Sequence, residues 1–222
     1  MSNNDSFIDE VTEEVRRDRL FATFRKYGWI GIVLVLGVVG GAAWTEWQKS
    51  QADNRAQAFG DAMLDAMDLG APEDRRAAIE GITADGSQLA VKSLMLASDP
   101  VQDKAASLAA LDALIADTTQ PQLYRDLASL RRVIAAGADM PVADRRAMLE
   151  GIAVPGRAFR TLAAEQLAYL LIEDGKPADA ITALSALMQD QEAPAGLRAR
   201  AGQMITALGG TPPALASDAN AG

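Results

Sequence analysis

The stretch YGWIGIVLVLGVVGGAAWT, Tyr27 to Thr45, runs nineteen residues without a charge, with Arg25 and Lys26 before it and Glu46 after it. As an α-helix rising 1.5 Å per residue it covers roughly 28 Å, close to the ~30 Å of hydrocarbon in a bilayer. Gly31 and Gly37 interrupt its Ile, Val and Leu, and glycine is commoner in membrane helices than in soluble ones. Tyr27 and Trp29 stand near one end and Trp44 and Trp47 near the other, where aromatic rings meet lipid headgroups. One membrane-crossing helix is the expectation, and the rest of the chain must then lie on one side of the bilayer or the other.

Flanking cations set the expected direction, because Lys and Arg beside a span stay on the cytoplasmic side. Arg16, Arg17, Arg19, Arg25 and Lys26 precede the run, whereas only Lys49 and Arg55 fall between Glu46 and Gly60. The N-terminus is therefore expected in the cytoplasm and the large C-terminal part on the exported side. Gly41-Ala42-Ala43 offers small residues for a signal peptidase, but the acidic preface, the length of the run and the following Trp44 favour an anchor over a cleaved signal.

Beyond the span the chain reads as all-helical. Hydrophobic residues make up 49% of the whole but aromatics only 5%, and no strand-type alternation follows the span. Cys and His are both absent, which removes disulfides, thiol catalysis, the common zinc sites and every imidazole triad. No Walker loop, dinucleotide fingerprint or nucleophile elbow occurs, so neither a cofactor nor an enzymatic activity is expected. The net charge is −9, and an acidic exported body repels phosphate backbones, making nucleic acid an unsuitable partner.

In order, residues 1–26 read as a cytoplasmic leader whose Phe7, Val11 and Val15 share a helical face, with acids early and cations late. Residues 27–45 are the span, in which Gly37 and Gly41 have the small-residue spacing that lets two membrane helices pack closely. Residues 46–70 read as a helical stalk ending before Gly70-Ala71-Pro72, and 209–222, GGTPPALASDANAG, as a disordered tail.

Residues 71–208 repeat themselves. DRRAAIEGI at 74–82, with Gly86 after it, returns as DRRAMLEGI at 144–152, with Gly156 after it; seven of the nine positions are identical. A second correspondence, offset by seventy-three, pairs Leu94 with Leu167, Leu108 with Ile181, Leu111 with Leu184, Leu114 with Leu187 and Pro121 with Pro194. Each copy reads as four helices punctuated by Pro, Gly and Asp: 72–83, 87–98, 101–117 and 122–136, then 142–153, 157–173, 177–190 and 195–208. Helices too short to close a core alone are stabilised by stacking on their neighbours, so a curved solenoid is expected.

The second copy carries Ala164-x2-Leu167-Ala168-x2-Leu171, then Gly175, Ala180-x3-Leu184, Leu187 and Pro194, which resembles the tetratricopeptide (TPR) pattern. With the leader, the span GWIGIVLVLGVVGGAAW, the stalk and this TPR-like body, the layout resembles the YfgM-like ancillary subunits of the SecYEG translocon. That resemblance implies a single-pass inner-membrane protein with a periplasmic domain. Its implied partners are SecYEG, a membrane-anchored periplasmic prolyl-isomerase-type chaperone and the lipid bilayer. A scaffold for another envelope complex, in division or cytochrome maturation, is the alternative. In TPR domains the first helix of a hairpin lines the concave face, which by resemblance places Glu165, Tyr169, Ile172 and Glu173 in a partner-binding groove. Repeats that clamp a peptide carboxylate use Lys and Asn at the first two of these positions. Glu165 and Tyr169 therefore lead to an expected preference for a basic or aromatic partner.

Overall fold

The computed structural model describes the backbone of residues 4–214, with side chains at 26, 29–31 and 33–214. The leader positions Phe7, Val11 and Val15 and the tail from 215 onward lie outside the described side chains. Nine α-helices and no strand are present among the described residues. The chain divides into two compact units, Met1–Gly60 and Asp61–Gly222.

The described residues of the first unit all belong to α1 (Asn4–Met67). Nothing in the sequence interrupts this helix before Asp68, since the first proline is Pro72 and the glycines of the apolar stretch meet no other part of the chain. Trp44 and Trp47 lie three residues apart on one face, with ring centroids 5.3 Å apart and tilted at 42°.

The second unit adds α2 (Pro72–Gly81), α3 (Ser87–Leu96), α4 (Lys104–Ala116), α5 (Gln122–Ala136), α6 (Val142–Glu150), α7 (Arg160–Glu173), α8 (Pro177–Gln189) and α9 (Ala195–Ala207). A 3-10 turn, Gly137–Asp139, follows α5. The boundaries have local causes. Pro72 and Pro177 occupy first-turn positions, where a missing N–H costs nothing. Pro121, Pro141 and Pro194 hold extended backbone just before α5, α6 and α9. Asp103 caps α4 by accepting the Ala106 N–H at 2.9 Å, so α4 starts at Lys104 instead of Val101. Helix α7 starts three residues later than the pattern predicted, after Pro155 and Gly156, whose φ of 82° only glycine adopts readily.

The internal repeat is visible in the element boundaries. Helices α3, α4 and α5 begin at 87, 104 and 122, and α7, α8 and α9 begin at 160, 177 and 195, each seventy-three residues on. Asp117 and Asp190 close α4 and α8 in the same way, each accepting the N–H of the residue two further on, from Thr119 at 3.0 Å and Glu192 at 2.9 Å. Burial repeats too: Leu111 and Leu184 are both 0% exposed, and the pairs Ala90/Ala163, Ala128/Ala201 and Leu114/Leu187 are buried alike.

Helices pack on their sequence neighbours, and the core falls into three clusters. One holds Ala90, Ala97, Leu111, Leu114 and Ala128. The second joins α5 to α6 and α7 through Leu130, Val133, Leu149, Ile152, Ala163 and Leu170. The third gathers Ala168, Leu184, Leu187, Leu197, Ala201 and Ile205. Small residues at the crossings let backbones approach, and leucines fill the space beside them.

Gly209 and Gly210, expected in the tail, belong instead to the end of the helical body. Gly209 takes φ 81°, and the Gly210 N–H donates to the Ile205 carbonyl at 2.9 Å, closing α9. A Cβ on Gly210 would lie 2.9 Å from Ile205 Cγ2 and 3.1 Å from Ile181 Cδ1, so this glycine is packed into the body. Composition concealed this because a glycine fills space only through its backbone.

Leu111→Ala and Leu184→Ala should each destabilise the helical body by about 2–5 kcal/mol, the usual cost of emptying a fully buried leucine site. Urea unfolding followed by circular dichroism checks this; a loss under ~1 kcal/mol at either site would contradict the close packing described.

Candidate functional site

Two parts of the chain bear on function. In α1, one window has a mean hydropathy of 1.6 with none of its share buried, so one described helix is long and apolar enough to cross a membrane. Ile30, Val33 to Leu36, Val38, Val39, Trp44 and Trp47 are all exposed. That much apolar surface is costly to leave in water and cheap to place in lipid. Gly37 and Gly41 have open space around them, which leaves room for another helix at close range.

The second part is the α7 face singled out by its resemblance to a TPR groove. The structure brings Glu165 and Tyr169 together, with the Tyr169 hydroxyl donating to Glu165 Oε1 at 3.0 Å. Glu165 is only 3% exposed and is held from α9 by Arg200, whose Nε and Nη2 donate to its two oxygens at 3.0 and 2.9 Å. This carboxylate is thus already neutralised within the chain, and the electrostatic preference expected from it is largely consumed. Burial, then the Glu165 charge and hydrogen bond, push the Tyr169 phenol up from its ordinary value.

Glu173 points elsewhere. Arg145 grips it with two parallel bonds, at 2.8 Å to Oε2 and 2.5 Å to Oε1, while Arg146 reaches Asp174 at 2.6 Å. The pair Arg145-Arg146 therefore ties α6 to the end of α7. Hydrogen bonding from Arg145 holds the Glu173 carboxyl below the ordinary carboxylate range, more than its partial desolvation raises it. Ile172 is half-buried. Of the four positions expected to line a groove, Tyr169 and Ile172 keep accessible surface not committed to an internal ion pair.

Periodicity did not reveal the partners of these acids. Arg200 lies thirty-five residues from Glu165, and Arg157 lies thirty-one from Asp126, a buried carboxylate to which it donates at 3.0 and 3.1 Å. Pairs so far apart leave no local spacing signal. No group of three or more Asp or Glu that could hold a metal exists among the described residues.

Because the folded Glu173 carboxyl is depressed, its pairing contributes stability above the unfolded value of 4.5 and loses it as pH falls through the lower folded value. Glu173→Gln should therefore shrink the stability difference between neutral and strongly acid pH, measured by urea unfolding; an unchanged difference would contradict the pairing. Arg200→Ala, which strips the partner from a buried carboxylate, should cost about 1–3 kcal/mol. Compared with known proteins, the chain matches no family model, no curated protein and no solved structure.

Proposed function

We propose that this chain is a single-pass membrane adaptor, with its N-terminus in the cytoplasm, its helical body on the periplasmic side, and a binding role in place of catalysis. The observation that carries this reading is the uncharged apolar stretch of α1, whose described side chains are all exposed, with aromatic residues near both ends and the denser cluster of cations before it in sequence. The body continues as helices that pack in sequence order with a seventy-three-residue internal repeat, which supports a TPR-like solenoid.

The resemblance to the YfgM-like family then assigns the adaptor to the SecYEG translocon, where it would assist the hand-over of exported proteins to a membrane-anchored prolyl-isomerase-type chaperone. The mechanism is tethering: anchoring confines the body to the membrane surface, so weak contacts to emerging chains or to a chaperone act at a raised effective concentration. Tyr169 and Ile172 form the part of the α7 face available for such contacts. Glu165 and Glu173 position that face through their arginine pairs.

Crosslinking in intact membranes, followed by mass spectrometry, should recover translocon subunits as the dominant partners, and Tyr169→Ala should reduce their recovery several-fold. Dominant crosslinks to a division or cytochrome-maturation complex would overturn the translocon assignment. Unchanged recovery with Tyr169→Ala would remove that residue from the docking face.

A further inference from the structure

The two copies differ at one place in a way that points to a second docking site. Helix α7 runs to Glu173, whereas α3 stops at Leu96, one turn short of the corresponding position, Pro100. Proline has no N–H to donate and its ring clashes with the carbonyl four residues back, so α3 cannot continue. Where the second copy has Leu170 and Leu171, the first has Ala97 and Ser98; where it has Glu173 and Asp174, the first has Pro100 and Val101.

The shortened helix end is held by arginines. Arg131 donates to the Leu94 and Ala97 carbonyls at 2.9 and 2.8 Å, and Arg76 donates to the Leu96 carbonyl at 3.0 Å. Cations suit a helix C-terminus. A cavity of about 510 Å³ opens beside this end, with Ala97, Pro100, Val101, Lys104, Arg131 and Ile134 in its walls. That volume lies within the ~300–1,000 Å³ range of ordinary binding sites. Two of its apolar walls stand in water: Val101 is 96% exposed and Ile134 55%.

Its charge is also unbalanced. No Asp or Glu lies within ion-pair distance of Arg131 among the described residues, although burial pushes its guanidinium down from the usual value. Lys104 is held at the rim by Asp139 at 2.6 Å. In the second copy the matching position to Arg131 is Met204, and the acids that end α7 pair instead with Arg145 and Arg146 of α6.

We propose that this cavity binds a short acidic peptide of a partner protein, in which aliphatic residues are followed by carboxylates. The segment Leu170-Leu171-Ile172-Glu173-Asp174 of this chain has that composition and supplies a probe sequence. The aliphatic side chains cover Val101 and Ile134, and a carboxylate reaches Arg131, which otherwise has backbone carbonyls alone as acceptors. A second copy of the same chain is a poorer occupant, since its own Glu173 and Asp174 are engaged by Arg145 and Arg146. This site is separate from the α7 face, and the proposal stands whether or not the translocon is the partner.

The test uses the full chain in phosphatidylcholine nanodiscs and two labelled peptides, AYLLIED, which copies residues 168–174, and its neutral counterpart AYLLIQN, followed by fluorescence anisotropy. The acidic peptide should bind at least about tenfold more tightly, an advantage that salt reduces. Ile134→Glu, at an exposed position that does not threaten folding, should weaken it about tenfold, and Arg131→Met should abolish the preference for acid. Tyr169→Ala should change neither. Equal affinity for the two peptides, or binding indifferent to Ile134→Glu, would overturn the proposal. So would concentration-dependent dimerisation abolished by Ile134→Glu without peptide binding, which would assign the face to a second copy.

Discussion

Close approach of neighbouring helices at residues with little or no side chain is the constraint on which the helical body depends. Ala90, Ala128, Ala163, Ala168, Ala180 and Ala201 have no exposed surface, and Ser107 occupies in the first copy the place that Ala180 takes in the second. None of these side chains buries much area itself. Their smallness lets the leucines around them bury theirs, at about 25 cal/mol for each Å² of apolar surface removed from water. Since helices contact mainly their neighbours in sequence, the core divides into three clusters, and the middle one joins the two copies through α5, α6 and α7. A larger residue at one crossing would act on the adjoining helices first.

Arginine does the work at the helix ends. Arg131 and Arg76 cap α3 through carbonyls, Arg145 and Arg146 bind the acids that end α7, Arg160 binds Asp190 and Glu192 after α8, and Arg200 returns from α9 to Glu165. The planar guanidinium suits this because it can serve two acceptors at once. These internal uses engage the arginines of both DRR stretches, Arg75 and Arg76 through carbonyls and Arg145 and Arg146 through carboxylates. The apolar stretch of α1 follows the opposite rule: it is rich in Ile, Val and Leu, yet none of its described side chains is buried. This helix is long and apolar enough to cross a membrane.

Much of the helical order was legible because it rests on local chemistry. The starts of α2, α3, α5, α6, α8 and α9 follow from proline, glycine and the return of hydrophobic spacing, and the repeat offsets carried over into the boundaries. The shorter α3 and the later starts of α4 and α7 depended on Pro100, the Asp103 cap and Gly156, each a single residue weighed against a pattern that ran on through it. The candidate site was less legible. Glu165 has the sequence position of a groove residue, but its burial depends on Arg200, thirty-five residues away, and Glu173 depends on Arg145 across twenty-eight. Gly210 read as part of a loose tail because its packing against Ile181 involves backbone alone.

The central claim is that α1 crosses the membrane once and holds the helical body outside the cytosol. Protease treatment of intact spheroplasts, with the chain followed by antibodies to each end after alkaline carbonate extraction, tests it most directly. The account predicts an uncleaved chain that stays in the carbonate-resistant membrane, with the body digested from outside and a protected N-terminal fragment that includes the apolar stretch. A soluble mature chain lacking its first forty-odd residues, or a body digested only after the membrane is broken, would contradict it.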